Sequence, residues 1–289
     1  MLHLLITSCI WGLSFGLIGN RLAGLDPAMI ALVRLSLSLL VFLPFACRGA
    51  PRLGLAAGLL LLGAVQFGLM YILYIASFSH LPSHAVALFT VLTPVHVALL
   101  ADLRKGRLAP RPLLAAVLAA AGAVAAQWRQ PDAARLWLGF LLVQGSNICF
   151  AAGQLLYRKL MRTQETVSNH QAMTWMYAGG VMVCLPFALL GYRSDGFAPT
   201  REQMIVLGYL GVVASGVGFW LWNIGARRVT HTGTLAVMNN AKIPVGMLLS
   251  LLLFREDVDR WRLLAASAAM AAAVLLCEWP ARTRDASAA

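Results

Sequence analysis

Charged residues are scarce in this sequence, and acidic residues are scarcer still. Only 12% of the 289 residues are Asp, Glu, Lys or Arg, about half of the share that is usual in a soluble domain. No acidic residue lies inside a long apolar run, and Asp26, Asp102, Glu256 and Glu278 lie at the edges of such runs. The shortage excludes an ordinary soluble domain and an intramembrane site built on paired carboxylates.

Clusters of metal-ligating residues are missing too. The five cysteines are scattered without a Cys-x-x-Cys pair, so we expect small buried hydrophobic residues rather than disulfides or metal ligands. His80 and His84 are four residues apart, but no Cys, Asp or Glu lies near them, and neither a metal nor another cofactor is expected. The net charge of +12 lies mostly in short loops and forms no basic stripe, so nucleic acid is not an expected partner.

Hydrophobic residues are abundant, at 60% of the chain. They form recurring apolar runs of about twenty residues, each long enough to cross the hydrocarbon core of a bilayer. The sequence therefore predicts an all-α polytopic membrane protein with ten transmembrane helices and short loops. The predicted spans are residues 3–22, 27–47, 54–78, 81–101, 111–127, 136–157, 169–191, 203–226, 231–254 and 261–279.

The loop charges predict the orientation of these spans. If both termini lie in the cytoplasm, the inside loops and tail hold thirteen Lys and Arg residues and the outside loops hold eight. Positive residues favour the cytoplasmic side. The first apolar run lacks a preceding basic segment and is predicted to be a retained helix rather than a signal peptide. We therefore expect a protein of the cytoplasmic membrane with both termini inside.

Two short patterns occur twice in the chain. The sequence Val-Phe-Leu-Pro-Phe-Ala at residues 41–46 matches Val-Cys-Leu-Pro-Phe-Ala at residues 183–188. Pro94 in the fourth predicted span matches Pro244 in the ninth, and an alanine-rich span follows each. The matches predict two five-helix halves, residues 1–130 and 131–289. Because five is odd, the halves would be inverted in the membrane, a construction that places a transport site between them.

The ninth predicted span contains the residue that is most costly to bury. Lys242 lies about eleven residues from the span's start, ~17 Å deep and too far for its side chain to reach the membrane surface. Asn239 and Gly246 share its helix face, and Pro244 interrupts the backbone hydrogen bonds nearby. Lys242 is predicted to contact a ligand or gate the site. The alternative is a structural lysine that binds carbonyl groups freed by Pro244.

The fourth predicted span has a similar break. Thr93 and His96 flank Pro94, and prolines at matching positions of two halves are a pointer to a substrate site. His96 is predicted either to contact the substrate or relay protons, or to bond one helix to another. In the sixth span, Asn147 belongs to a polar stripe that should face the interior of the bundle, where it binds substrate or holds helices together.

Three further residues are candidates in other spans. Arg34 lies only ~10 Å deep, so it is either a membrane-surface anchor or a substrate contact. Trp11 belongs to a polar stripe of the first span, with an inward orientation. Tyr74 and Trp222 fit an interfacial aromatic belt, and an aromatic-lined pocket is the alternative for both. Pro94, Pro244 and Gly246 are predicted hinge or gating positions.

The order of these features resembles that of the EamA-type drug/metabolite transporter superfamily. The resemblance rests on Arg34 early in the second span, on the two prolines, and on the charged turn Phe254-Arg255-Glu256 before an alanine-rich last span. It implies a ten-helix transporter with a central cavity between the halves, alternating access, and transport of metabolites that is often outward. The family commonly has Gly-Glu at that turn, whereas this chain has Arg255-Glu256.

The sequence as a whole favours a secondary transporter, not an enzyme, for a small polar metabolite in the bilayer, with export expected. Buried cations without buried acids favour a substrate that bears a carboxylate, such as an amino acid or organic acid. Lys242 would attract that group, while Trp11 and Tyr74 would pack against the apolar part. The predicted hydrogen-bonding contacts are Asn239, Thr93, His96, Asn147 and Arg34. An intramembrane enzyme on lipid-like substrates and a non-transporting scaffold or sensor are the alternatives.

Overall fold

The computed structural model of the protein describes residues 2–48, 51–104, 133–161, 167–191, 197–228 and 238–255, with scattered positions between 106 and 121, at 164, and between 261 and 275. All regular secondary structure in this part of the chain is helical. The predicted all-α class is confirmed over these residues.

Seven of the described helices are long and apolar enough to cross a membrane. They are α1 (Leu2–Arg21), α2 (Pro27–Ala46), α3 (Leu53–Ser77), α4 (Ser83–Arg104), α5 (Ala134–Met161), α6 (Asn169–Gly191) and α7 (Arg201–Ala226). A shorter helix, α8 (Lys242–Leu252), follows a turn at Ala241. The predicted spans 111–127 and 261–279 lie largely outside the described residues, as do residues 231–237 of the ninth, so the count of ten stays a prediction.

Helix starts follow local capping chemistry. Pro27 is the first residue of α2, and the backbone N–H of Met29 donates to Oδ1 of Asp26 at 2.8 Å. Thr200 precedes α7, where its side chain and that of Gln203 form a reciprocal capping box. Both arrangements satisfy N–H groups that have no partner inside the helix. The sequence therefore sets where α2 and α7 begin.

Two spanning helices contain π-helical turns in their middle. The π segments are Ala64–Leu69 in α3 and Tyr209–Val217 in α7. A π turn adds a residue to the helical repeat and is found often at functional sites. It also shifts the face on which the following side chains lie, so the simple helical spacing of the sequence does not carry across it.

The two prolines break their helices in different ways. In α4 a 3₁₀ turn, Thr90–Leu92, precedes Pro94. Since proline has no N–H, it leaves the carbonyl of Thr90 without its helical donor, and Oγ1 of Thr93 donates to that carbonyl at 2.8 Å. Pro244, by contrast, lies in the first turn of α8, where a missing N–H costs nothing. The ninth predicted span is therefore interrupted at the turn at Ala241, and Pro244 does not break it.

Most contacts among the eight described helices have a counterpart when α1–α4 are exchanged with α5–α8. Helix α1 packs against α8, and α5 packs against α4. Likewise α2 packs against α7 and α6 against α3, while α1 meets α7 and α5 meets α3. Helices α2 and α6 pack against each other, and the π segment of α3 is the counterpart of the π segment of α7. The two parts of the chain thus interlock through equivalent contacts.

Glycines allow the closest of these helix crossings. A Cβ atom at Gly63 of α3 would collide with the backbone of Met176 in α6, and one at Gly179 of α6 would collide with the backbone of Leu60 in α3. Exposed leucines such as Leu61 cover the outer surface, whereas polar side chains such as Gln66 are buried. An apolar exterior around a partly polar interior is the arrangement that a bilayer requires.

Candidate ligand-binding cavity

A cavity of about 540 Å³, part of it open to the outside, lies between seven of the helices, and α6 contributes no described residue to its lining. This volume includes open solvent at the mouth of the cavity. Rings of Trp11, Phe15, Phe150 and Phe219 form much of the wall. Of the lining residues that the structure describes, two are cationic and none is acidic.

The cavity brings together most of the side chains that the sequence predicts as substrate contacts. Six of the eight line it: Trp11, Arg34, Tyr74, Thr93, Asn147 and Lys242. Asn239 contacts Lys242 directly, whereas His96 is not among the described lining residues. The predicted hinge positions Pro94, Pro244 and Gly246 are also absent from the lining, and Gly246 lies at the crossing of α8 with Phe15 and Gly12 of α1.

Lys242 is held between an amide and two aromatic rings. Its side chain is 8% exposed, and Nζ donates to Oδ1 of Asn239 at 3.1 Å. Nζ also lies 5.3 Å from the ring centroid of Trp11 and 5.5 Å from that of Phe150, within the range of cation–π attraction. None of these groups is an anion. These contacts therefore include no counter-ion for the lysine.

The chain segment before α8, residues 238–241, is held by hydrogen bonds with two other helices. Oγ of Ser8 in α1 donates to the carbonyl of Met238 at 2.6 Å. Nδ2 of Asn240 donates to the carbonyl of Val91 in α4 at 3.3 Å. These bonds occupy backbone groups at both helix breaks, and they hold Asn239 and Lys242 at the level of the Thr90–Leu92 turn.

Thr93 and Asn147 hold the break in α4. Nδ2 of Asn147 donates to the carbonyl of Phe89 at 3.0 Å and to Oε1 of Gln144 at 3.1 Å. Oγ1 of Thr93 lies 3.2 Å from Oδ1 of Asn147. The donors of both side chains are thus already used within the protein, so their observed role is to shape the cavity wall. A ligand could still reach the oxygen of Asn147.

His96 lies one turn beyond this break. Its Nδ1 is 2.9 Å from the carbonyl of Leu92, which makes Nδ1 the protonated nitrogen because a carbonyl only accepts. The bond is within α4. A contact of His96 with substrate or with another helix stays a prediction.

Arg34 is buried, with only 3% of its side chain exposed, so it is not a membrane-surface anchor. Its Nε and Nη2 donate to Oγ of Ser215 at 3.3 and 3.1 Å, and Nη2 also donates to the hydroxyl of Tyr71 at 3.2 Å. The guanidinium carbon lies 4.5 Å from the centroid of the Tyr71 ring. The remaining nitrogen, Nη1, has no hydrogen-bond partner in the described part of the chain.

Two aromatic predictions have different outcomes. Tyr74 lines the cavity, with its ring 6.0 Å from Phe15 and 5.2 Å from Phe78. Trp222 is fully buried, and its ring lies 5.3 Å from Trp11. The interfacial belt is therefore wrong for Trp222, because α7 continues to Ala226 and packs this residue against α1.

Comparison with known proteins agrees with this architecture. The model of the EamA-like transporter family matches residues 1–126 and 137–277. The chain belongs to this family. The membership makes it a multi-pass membrane transporter of a small metabolite and excludes the enzyme alternative.

Several transporters are similar to this chain over most of their length. The biotin transporters of Salmonella typhimurium and Escherichia coli K12 are each 39% identical to it over 89% of this chain and 86% of theirs. The probable biotin transporter of Pseudomonas aeruginosa is 40% identical over 95% of this chain and 96% of its own. A solved crystal structure superposes with a TM-score of 0.68 over 96% of both chains at 17% identity, which supports the fold alone.

Proposed function

We propose that this EamA-like transporter is a secondary transporter for biotin in the cytoplasmic membrane. The observation that carries the proposal is Lys242, a buried cation in a cavity whose described lining contains no acid. The names of the relatives supply the identity of the substrate. Biotin is an organic acid with one carboxylate, a four-carbon chain and a fused bicyclic ring, so it needs one cationic contact and a largely apolar wall.

The surroundings of Lys242 suit a carboxylate. An isolated buried charge is unfavourable unless an opposite charge joins it. One of the three N–H groups of Lys242 binds Asn239, which leaves two for a ligand. The rings of Trp11 and Phe150 keep water away and lower the local dielectric, which strengthens the attraction between the ammonium and an arriving carboxylate.

The other predicted contacts take distinct roles in this proposal. Trp11 and Tyr74 pack against the hydrocarbon chain of the substrate, and Asn239 positions Lys242. Thr93 and Asn147 keep the α4 break open to the cavity. His96 as a site residue stays a prediction, since it lies outside the lining.

Alternating access would arise from two inverted halves, residues 1–130 and 131–289, of five helices each. The exchange symmetry of the helix contacts and the matching π segments support this arrangement. In it, the breaks near Pro94 and Pro244 and the Gly246 crossing act as hinges. Both termini would lie in the cytoplasm, and the expected outward transport stays a prediction.

The deciding experiment is the flux of labelled biotin in proteoliposomes, measured both as uptake and as efflux from preloaded vesicles. Lys242→Gln should reduce the affinity for biotin by about 10- to 100-fold, the effect of losing one charge-assisted hydrogen bond. Lys159 is exposed at the end of α5, and Lys159→Gln is the matched control. Biotin flux no greater than in empty vesicles would reject the substrate, and unchanged affinity in Lys242→Gln would reject the site.

A further inference from the structure

Arg34 lines the cavity, and most of its hydrogen-bond donors are already used within the protein. Its Nε and one N–H of Nη2 bind Ser215, and Tyr71 accepts from the same Nη2. Nη1 is buried and has no partner among the described residues. A guanidinium has five N–H groups, so the two on Nη1 remain for a ligand.

The direction of the free donors selects the kind of acceptor. Arginine binds a carboxylate best through two nitrogens at once, with two parallel hydrogen bonds. The edge that carries Nε and Nη2 is occupied by Ser215, and the second N–H of Nη2 is taken by Tyr71. A single remaining nitrogen suits the oxygen of a neutral carbonyl group, such as that of an amide or a urea.

The neighbours of Arg34 fix this geometry before any ligand binds. Oγ of Ser215 lies 2.7 Å from the carbonyl of Leu210 across the π segment of α7 and 2.8 Å from the hydroxyl of Tyr71. The hydroxyl of Tyr177 donates to the carbonyl of Ser215 at 2.6 Å. Four helices therefore hold the guanidinium in one orientation, as expected of a preorganised contact.

The two cations occupy separate parts of the same cavity. Lys242 contacts Trp11 and Phe150, whereas Arg34 contacts Tyr71 and Ser215. The ring of Phe219 connects the two sets, 4.8 Å from the ring of Trp11 and 6.2 Å from that of Tyr71. An elongated substrate could therefore place one polar group at each cation and its apolar part across Phe219.

We propose that Nη1 of Arg34 binds the carbonyl oxygen of a cyclic urea at the end of the substrate remote from the carboxylate. In biotin this is the ureido oxygen. The proposal rests on the proposed function, in which Lys242 binds the carboxylate. Arg34 is thereby a specificity-determining residue that distinguishes a urea from ring systems without an acceptor at that position.

The test measures dissociation constants by calorimetry on the full chain in lipid nanodiscs, with three ligands. They are biotin, biotinamide, which lacks the carboxylate, and 2-iminobiotin, whose cyclic guanidine carries N–H donors and, near neutral pH, a positive charge in place of the ureido oxygen. The wild-type protein should bind both analogues at least about 10-fold more weakly than biotin, since each loses one hydrogen bond to a charged group. Arg34→Gln should remove the preference for biotin over iminobiotin and keep the preference over biotinamide.

Lys242→Gln should give the opposite pattern, with the preference over biotinamide lost and the preference over iminobiotin kept. Arg201 is exposed in the first turn of α7, and Arg201→Gln should leave both preferences unchanged. Tyr71→Phe is the second variant if Arg34→Gln fails to fold. It keeps the arginine but removes the hydroxyl that holds Nη2, and it should reduce the preference over iminobiotin in the same direction.

The outcomes separate this inference from the proposed function. A wild-type protein that binds neither biotin nor its analogues rejects the substrate itself. Loss of the biotinamide preference in Arg34→Gln would assign the carboxylate to Arg34 and overturn the inference. An equal loss of affinity for all three ligands in Arg34→Gln, or an unchanged iminobiotin preference in Tyr71→Phe, would make Arg34 structural and overturn it as well.

Discussion

Nζ of Lys242 lies 3.1 Å from Oδ1 of Asn239, so a neutral amide holds the buried ammonium. An amide orients the lysine by a hydrogen bond and does not cancel its charge. A carboxylate in the same place would form an internal ion pair. The choice of asparagine thus leaves the lysine available for the carboxylate of the proposed substrate.

The first prediction follows from this pair. Asn239→Asp should form an ion pair with Lys242 and should weaken biotin binding by about 10- to 100-fold, as the loss of a charge-assisted hydrogen bond would. Asn239→Ala removes only the orienting bond and should have the smaller effect. Calorimetry on the purified variants measures both. Wild-type affinity in Asn239→Asp would show that the charge of Lys242 does not act on the ligand.

The second prediction concerns the rings around Lys242. Phe150→Leu keeps an apolar side chain but removes one of the two rings near the ammonium. A cation–π contact in a site without water contributes about 1–2 kcal/mol, so the position of Lys242 should become less fixed and biotin affinity should fall several-fold. Phe140→Leu, at a buried residue of the same helix that does not line the cavity, is the control. Equal effects of the two substitutions would indicate loss of packing alone.

The third prediction tests the crossing of α3 with α6. Gly63→Ala would push a Cβ into the backbone of Met176 and should destabilise the fold by about 1–3 kcal/mol, the usual cost of overpacking. Gly54→Ala in the same helix adds a Cβ with no atom within 4 Å and should be neutral or stabilising, because alanine favours helix. Thermal unfolding in detergent compares the two. A higher melting temperature for Gly63→Ala would contradict the crossing.

The fourth prediction concerns the break in α4. Thr93→Val keeps the shape of the side chain but removes one of two donors to the carbonyl of Thr90, the hydroxyl at 2.8 Å, and leaves the backbone N–H of residue 93, at a cost of about 0.5–1.5 kcal/mol. The apparent melting temperature should therefore fall, and Thr93→Ser, which keeps the hydroxyl, should restore most of it. If valine and serine give the same melting temperature, the hydroxyl does not support the break.

Much of the cavity follows from the sequence because polar groups inside apolar spans must face the interior. This rule places Lys242, Arg34, Thr93 and Asn147 together without any structure. It does not find Ser215, because a serine in a transmembrane span is common and the π segment of α7 changes the helical phase there. It does not find Phe150 either, since a phenylalanine among apolar residues carries no signal of its own.

The break in the ninth predicted span shows a second limit of prediction from local sequence. A proline between two apolar stretches predicts an interruption at the proline, yet the turn is at Ala241 and Pro244 belongs to the first turn of α8. Proline is compatible with either position. Hydrogen bonds between the segment before α8 and helices α1 and α4 decide between them, and such contacts between distant segments are not visible in local sequence.

The glycine crossing of α3 and α6 has a mechanical consequence. Where two backbones touch, as they do beside Gly63 and Gly179, neither helix can slide along the other without collision, but each can tilt about the point of contact. The crossing of α1 with α8 is close as well, since a Cβ at Gly246 would lie 3.2 Å from the carbonyl oxygen of Gly12. Any rocking between the interlocked parts would therefore tilt the helices about the α3–α6 contact instead of sliding them along it.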